Sequence, residues 1–368
     1  MSEASSFQDY LAHIRSSLSA LSASQEKYNG SAYLSPPTKE PQQRVRHRSQ
    51  SQKNKEQHGA AHTSPPAYTA ISPEARPNMS NDIQTRITRH QYAQDNILQS
   101  YDLYIPENVP DQGYWIIYIH GGYFRDPNVT STSFLPALSL LASSSVADQV
   151  VGYASLNYRL SKHERFPQDG TTTPAYELRN ALWPDHLNDV RDAIAHLQRK
   201  YSFGSKYLLV GHSVGATMAL LSALSAVARS DSERPLPSII PPIAVLGVSG
   251  IYDFEALHVS YPAYVEITRN AIPNPQDQVA ASPARYAASG YRTKAIILAH
   301  SRDDGLVDWK QVDIMRELFE HSPREGGAVS VRVVEIYGMH NEIWEKGTEL
   351  ARAIGEALAD IRKVDERT

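Results

Sequence analysis

The sequence predicts an α/β chain: a mostly parallel central sheet with helices on both faces, preceded by a largely disordered N-terminal extension. Three observations carry this. Short runs such as Trp115 to Ile119 and Val150 to Leu156 are apolar almost throughout, as strands buried on both faces are. Stripes at helical spacing lie between most of these runs or close the chain. Trp183, Leu187, Val190, Ile194 and Leu197 form one, with Pro184 near its first turn, and Ala351, Ile354, Leu358 and Ile361 form the last. Residues 35–66, in contrast, are rich in proline, serine and glutamine, with little that could enter a core.

Taken in order, residues 1–80 read as an extension and 81–368 as an α/β domain. Phe7, Leu11, Ile14, Leu18 and Leu21 fall at helical spacing and predict one short amphipathic helix. Charged and polar residues interrupt any apolar core a signal peptide would need, and Glu3 and Asp9 argue against a mitochondrial presequence. Arg44, Arg46, Arg48, Lys53 and Lys55 make a basic cluster, read as a solvated linker ahead of a nuclear-targeting or anion-binding patch. Strands are expected at Ile83 to Ile87, Ile97 to Ile105, Trp115 to Ile119, Val150 to Leu156, Lys206 to Val210, Ile243 to Val248, Ala295 to Ala299 and Val329 to Ile336.

Composition narrows the function. The chain of 368 residues has a formal charge of −4, which gives no reason to expect nucleic acid as a partner. It has no cysteine, so disulfides, thiolate metal sites and a cysteine nucleophile are excluded. No run of about 20 apolar residues is present to span a membrane. The expected location is the cytoplasm, with nuclear entry through the basic cluster as the weaker alternative.

Chemistry concentrates in the loops that a parallel sheet presents at its strand carboxyl ends. Gly211-His212-Ser213-Val214-Gly215 joins a β-rich run to helix formers, the strand–turn–helix context in which G-x-S-x-G lifts a serine clear of the sheet as a nucleophile. Upstream, a strand ends in His120-Gly121-Gly122-Tyr123-Phe124. Glycines there let backbone N–H groups approach a developing oxyanion, so the amides of Gly122 and Tyr123, with that of Val214, are the expected donors. His120 is read as a hydrogen-bonding residue that shapes the loop.

A serine nucleophile needs a base, and the acid and histidine follow it in the chain. His340 lies just after the last expected strand and is preferred over His300, which ends the preceding one. His258 and His321 sit in polar stretches and are expected to face solvent. In His300-Ser301-Arg302-Asp303-Asp304-Gly305-Leu306-Val307, Asp304 is preferred as the orienting acid, with Asp303 the alternative. Asp253 is read as structural.

With these segments in view, the chain from about residue 97 resembles the fungal kynurenine formamidases (arylformamidases) of the α/β-hydrolase superfamily. The matching residues are His120-Gly121-Gly122-Tyr123-Phe124 with Asp126-Pro127, then Tyr158-Arg159-Leu160-Ser161. Gly211 to Ala216, His300-Ser301 with Asp304, and Gly338-Met339-His340-Asn341 complete the likeness. Phe124 stands where that family usually has tryptophan, which keeps an aromatic wall at the pocket. The resemblance implies hydrolysis of the small molecule N-formyl-L-kynurenine to L-kynurenine and formate, within tryptophan degradation and ahead of NAD biosynthesis. It implies no cofactor and no metal, and admits a homodimer. Tyr123, Phe124 and the segment from about 255 to 285 are expected to wall the leaving-group side. The alternatives are a carboxylesterase of the hormone-sensitive-lipase type and a non-catalytic receptor or scaffold of the same fold.

Since the extension offers no core pattern beyond its first helix, deletion of residues 1–65 should leave kcat for N-formyl-L-kynurenine within about twofold of the full chain. A folded truncation whose turnover collapses would assign the segment to the pocket or an interface.

Overall fold

The computed structural model describes residues 79–227, 236–321 and 329–365. The expected helix from Phe7, the polar linker and the basic cluster lie outside the described residues; of the expected 1–80 extension only Met79 and Ser80 fall within them, opening the first helix.

Among the described residues the strands are β1 (Thr88–Gln91), β2 (Ser100–Tyr104), β3 (Tyr114–Ile119), β4 (Val150–Leu156), β5 (Tyr207–His212), β6 (Ala244–Val248), β7 (Ala295–Ser301) and β8 (Ser330–Ile336). They form one eight-stranded sheet in the order β1-β2-β4-β3-β5-β6-β7-β8. The first two strands run antiparallel, and every pairing from β4 to β8 is parallel. The helices are α1 (Met79–Arg86), α2 (Leu135–Ala142), α3 (Asp185–Tyr201), α4 (Val214–Ser222), α5 (Phe254–Ser260), α6 (Tyr264–Ala271), α7 (Pro275–Ala280), α8 (Lys310–Glu320), α9 (Glu342–Lys346) and α10 (Thr348–Asp365).

The period-two alternation of each central strand divides the core into two layers. Ile117, Leu209, Val245 and Leu298 pack with α3, α4 and α8 on one face. Their neighbours Ile116, Val210, Leu246 and Ile297 pack with α2 and α10 on the other. Each such side chain contributes about 2 kcal/mol by leaving water, so the sheet is fixed from both sides and its strand ends are rigid points of attachment.

Two expectations at the leading edge change. Ile83 to Ile87 is not a strand: α1 occupies the segment to Arg86, and β1 starts at Thr88. Residues four apart share a face in a helix and in a strand alike, so the two isoleucines could not distinguish them, and both pack into the α2–α10 layer. The next strand starts at Ser100 rather than Ile97. The Asn96 side chain accepts from Leu98 N–H at 3.0 Å and its carbonyl from Gln99 N–H at 3.0 Å, a local turn that competes with strand pairing.

Candidate active site

Ser213 sits between the end of β5 and the first residue of α4, with φ 57° and ψ −124°. A left-handed φ at a non-glycine residue costs on the order of 1–3 kcal/mol and persists only where its surroundings impose it. Here they do so through close backbone approach. A Cβ at Gly211 would overlap the backbone of Gly215, and one at Gly215 would overlap the carbonyl oxygen of Ile119 at the end of β3. The two glycines therefore let α4 descend onto β5 and β3. Ser213 N–H donates to Val248 C=O at 2.9 Å, and its own carbonyl accepts from Ala216 N–H at 2.9 Å in the first turn of α4.

The loops after β7 and β8 bring Asp304 and His340 together. His340 Nδ1 lies 2.8 and 2.9 Å from the two carboxylate oxygens of Asp304, and His340 N–H donates to the Asp304 carbonyl at 2.9 Å. Leu306 and Val307 N–H donate to Asp304 Oδ1 at 3.2 and 2.8 Å, which is what Asp-Gly-Leu-Val supplies locally. Burial works against the Asp304 charge, but the His340 ring bonded to it outweighs that and, with His300, holds its carboxyl well below the usual range. An ionised carboxylate only accepts, so Nδ1 carries the ring proton and Nε2 is left with its lone pair, as a base requires. Asp303, by contrast, is exposed.

Two further histidines hold this pair without joining it. His300 Nε2 donates to Val307 C=O at 3.0 Å and so spans the loop that carries Asp304. His212, the residue before Ser213, donates from Nε2 to the backbone carbonyl of His340 at 3.1 Å, with ring centroids 4.7 Å apart. This contact ties the histidine loop to the elbow across 128 residues of sequence. Sequence reading missed it, and only the position of His212 beside the serine could have suggested it.

The His120–Phe124 loop turns through three successive left-handed residues, Gly122 (φ 86°), Tyr123 (φ 50°) and Phe124 (φ 66°). The Gly121 carbonyl accepts from Tyr158 O–H at 2.9 Å and meets His120 Nδ1 at 2.9 Å. The Gly122 carbonyl accepts from the N–H groups of Arg125 and Asp126 at 3.0 and 2.9 Å. In a trans peptide the C=O and the following N–H point in opposite directions, so the amides of Gly122 and Tyr123 are turned away from these partners. Neither these two amides nor that of Val214 donates a hydrogen bond among the described residues. A Cβ at Gly121 would come within 3.0 Å of Ser213 Cβ, so this loop lies directly on the elbow.

The Tyr158–Ser161 segment is the scaffold of that loop. Arg159 makes a two-pronged pair with buried Asp189 at 2.8 Å on each arm, and Ser161 N–H donates to Phe124 C=O at 2.9 Å. Phe124 itself does not wall the pocket. It has no exposed surface and packs among Trp183, His186 and Phe254 beneath the loop, because its left-handed backbone turns it inward. Tyr123 takes the opposite side, stacked on Tyr264 of α6 at 5.0 Å. His258 also differs from expectation. It is half-buried, with Nε2 2.8 Å from Thr268 Oγ1, while His321 is exposed.

No family model matches the chain. A kynurenine formamidase-like hydrolase from Fusarium equiseti is 32% identical over 288 residues, 71% of this chain and 89% of that protein. A kynurenine formamidase from Aspergillus versicolor is 35% identical over 259 residues, covering 63% and 84%. Among solved structures, Thermogutta terrifontis esterase 2 phosphonylated by sarin aligns with a TM-score of 0.55 at 17% identity, over 76% of this chain and 94% of that one. At that identity the likeness is one of fold, the α/β-hydrolase architecture.

Burial lowers three histidines from their ordinary 6.5, His120 to about 4 and His186 and His212 to about 3. The unfolded chain therefore takes up protons as the pH falls through 6.5 while these rings in the folded chain do not, and the stability they contribute is full above 6.5 and lost towards 3–4. The melting temperature should be lower at about pH 5 than at about pH 7.5, with net proton uptake on unfolding. An equal or higher melting temperature at the lower pH would contradict the neutral assignment.

Proposed function

The chain belongs to the kynurenine formamidase family and is a hydrolase, and from that premise we propose that it cleaves N-formyl-L-kynurenine to L-kynurenine and formate. In this reading Ser213 is the nucleophile, His340 the general base and Asp304 its orienting acid. The observation that carries it is the contact of His340 Nδ1 with both Asp304 oxygens, at 2.8 and 2.9 Å, on a loop bonded to the residue before Ser213.

The chemistry follows in two halves. Ser213 Oγ attacks the formyl carbon as its proton passes to His340 Nε2. The carbonyl oxygen becomes an oxyanion, received by the N–H groups of Gly122, Tyr123 and Val214; one such donor is worth roughly 3 kcal/mol of barrier. Collapse breaks the C–N bond, and His340 returns the proton to the departing aromatic amine, giving L-kynurenine and a formyl ester on Ser213. Water then gives a proton to His340 and attacks the ester carbon. Formic acid leaves as the proton returns to Ser213 Oγ, and it ionises to formate by giving its remaining proton to solvent. Asp304 stays ionised throughout and stabilises the imidazolium that forms twice.

The purified chain should release formate and L-kynurenine from N-formyl-L-kynurenine, and absence of turnover in folded protein would refute the substrate assignment. Ser213→Ala and His340→Ala should each lower kcat by on the order of 1,000-fold or more, with the double variant little worse than either, since the residues act as a unit. Asp304→Asn should lose rate with little change in KM, and Asp303→Asn far less. Near-parental turnover in His340→Ala, or a larger loss in Asp303→Asn, would overturn these roles.

A further inference from the structure

The strained loop that carries Tyr123 needs a support, and helix α6 supplies one. Tyr123 holds a left-handed backbone at φ 50°, a conformation that costs free energy unless contacts impose it. Its ring lies on Tyr264 with an interplanar angle of 8°. Its hydroxyl lies 2.8 Å from Thr268 Oγ1, one turn further along α6. A second link joins the same helix to the same loop, since Glu164 pairs with Arg125 at 2.5 Å and also meets Asn270.

Thr268 is the centre of this arrangement. It is fully buried, and its hydroxyl has three neighbours: the Tyr264 carbonyl, the Tyr123 hydroxyl and His258 Nε2, each at 2.8 Å. A threonine hydroxyl has one proton to give and two lone pairs. The carbonyl can only accept, so all three contacts are hydrogen bonds only if Thr268 donates to Tyr264 and accepts from Tyr123 O–H and His258 Nε2–H. The orientation of the Tyr123 phenol is thereby fixed at its far end, while its amide, at the near end, points away from Arg125 and Asp126.

We propose that Thr268 is a positioning residue for catalysis: by accepting from the Tyr123 hydroxyl it holds the left-handed backbone of Tyr123, and so the aim of the Tyr123 N–H at the oxyanion. The inference rests on the proposed role of that amide as an oxyanion donor. The amide meets full negative charge only in the transition state, so loss of its aim lowers kcat and leaves KM largely unchanged.

The test measures Thr268→Val, Thr268→Ser, Tyr123→Phe and the Tyr123→Phe/Thr268→Val pair on N-formyl-L-kynurenine and on a short p-nitrophenyl ester. Thr268→Val should lower kcat at least about tenfold on both substrates with KM within about threefold, and Thr268→Ser, which keeps the hydroxyl, should return it to within about threefold of the parent. Tyr123→Phe should lower kcat in the same way, and the double variant should be no worse than Thr268→Val, because the bond that Tyr123→Phe deletes is one of the three that the valine has already removed. Melting temperatures establish that each variant is folded, and Tyr123→Phe carries the comparison if Thr268→Val is not. Turnover of Thr268→Val within about twofold of the parent, failure of serine to restore it, or multiplying losses in the double variant would overturn the proposal. A parent that hydrolyses the ester but not the formamide would instead refute the substrate assignment, with the Thr268 comparison read on the ester.

Discussion

The approach of Gly215 to the carbonyl oxygens of Ile119 and His120 governs the geometry of the site. It brings the first turn of α4 against the end of β3, which presses the His120–Phe124 loop onto the elbow. The same approach forces Ser213 into its left-handed conformation, since β5 must reverse into α4 within one residue. Any side chain at Gly211 or Gly215 separates these elements. The nucleophile candidate and the loop amides would then lose their common frame before any catalytic group was touched.

Around that frame the site is a set of side-chain bonds to backbone carbonyls. His212 holds the His340 carbonyl, Tyr158 holds those of His120 and Gly121, and His300 holds that of Val307. Each fixes a peptide in a loop that carries a candidate site residue. Histidine suits this work when buried, because desolvation keeps the ring neutral, with one N–H to give and no charge to solvate. Burial accordingly pushes His212 down to about 3 and lowers His300 as well.

The parts legible in sequence were those whose cause is local. Gly211 and Gly215 flank the serine because the turn itself needs them, and the apolar runs of β3 to β7 follow from burial on both sheet faces. The pairing of Asp304 rather than Asp303 with His340 also has a local component, since Leu306 and Val307 donate back to the Asp304 carboxylate. What escaped was set by partners far away in the chain. Phe124 reads as a pocket wall until three residues of φ above 50° or at 50° turn it into the core. Thr268 carries no motif, and its proposed role rests on a contact 145 residues upstream. Ile83 and Ile87 misled for a different reason, namely that a spacing of four satisfies both periodicities.

The central claim is that Ser213 is the residue that becomes acylated, and peptide mapping after reaction with an organophosphonate tests it most directly. One adduct per chain is expected, on the peptide containing Ser213, with residual turnover falling in proportion to labelling. Full labelling at a different residue, or the same labelling in Ser213→Ala, would contradict it.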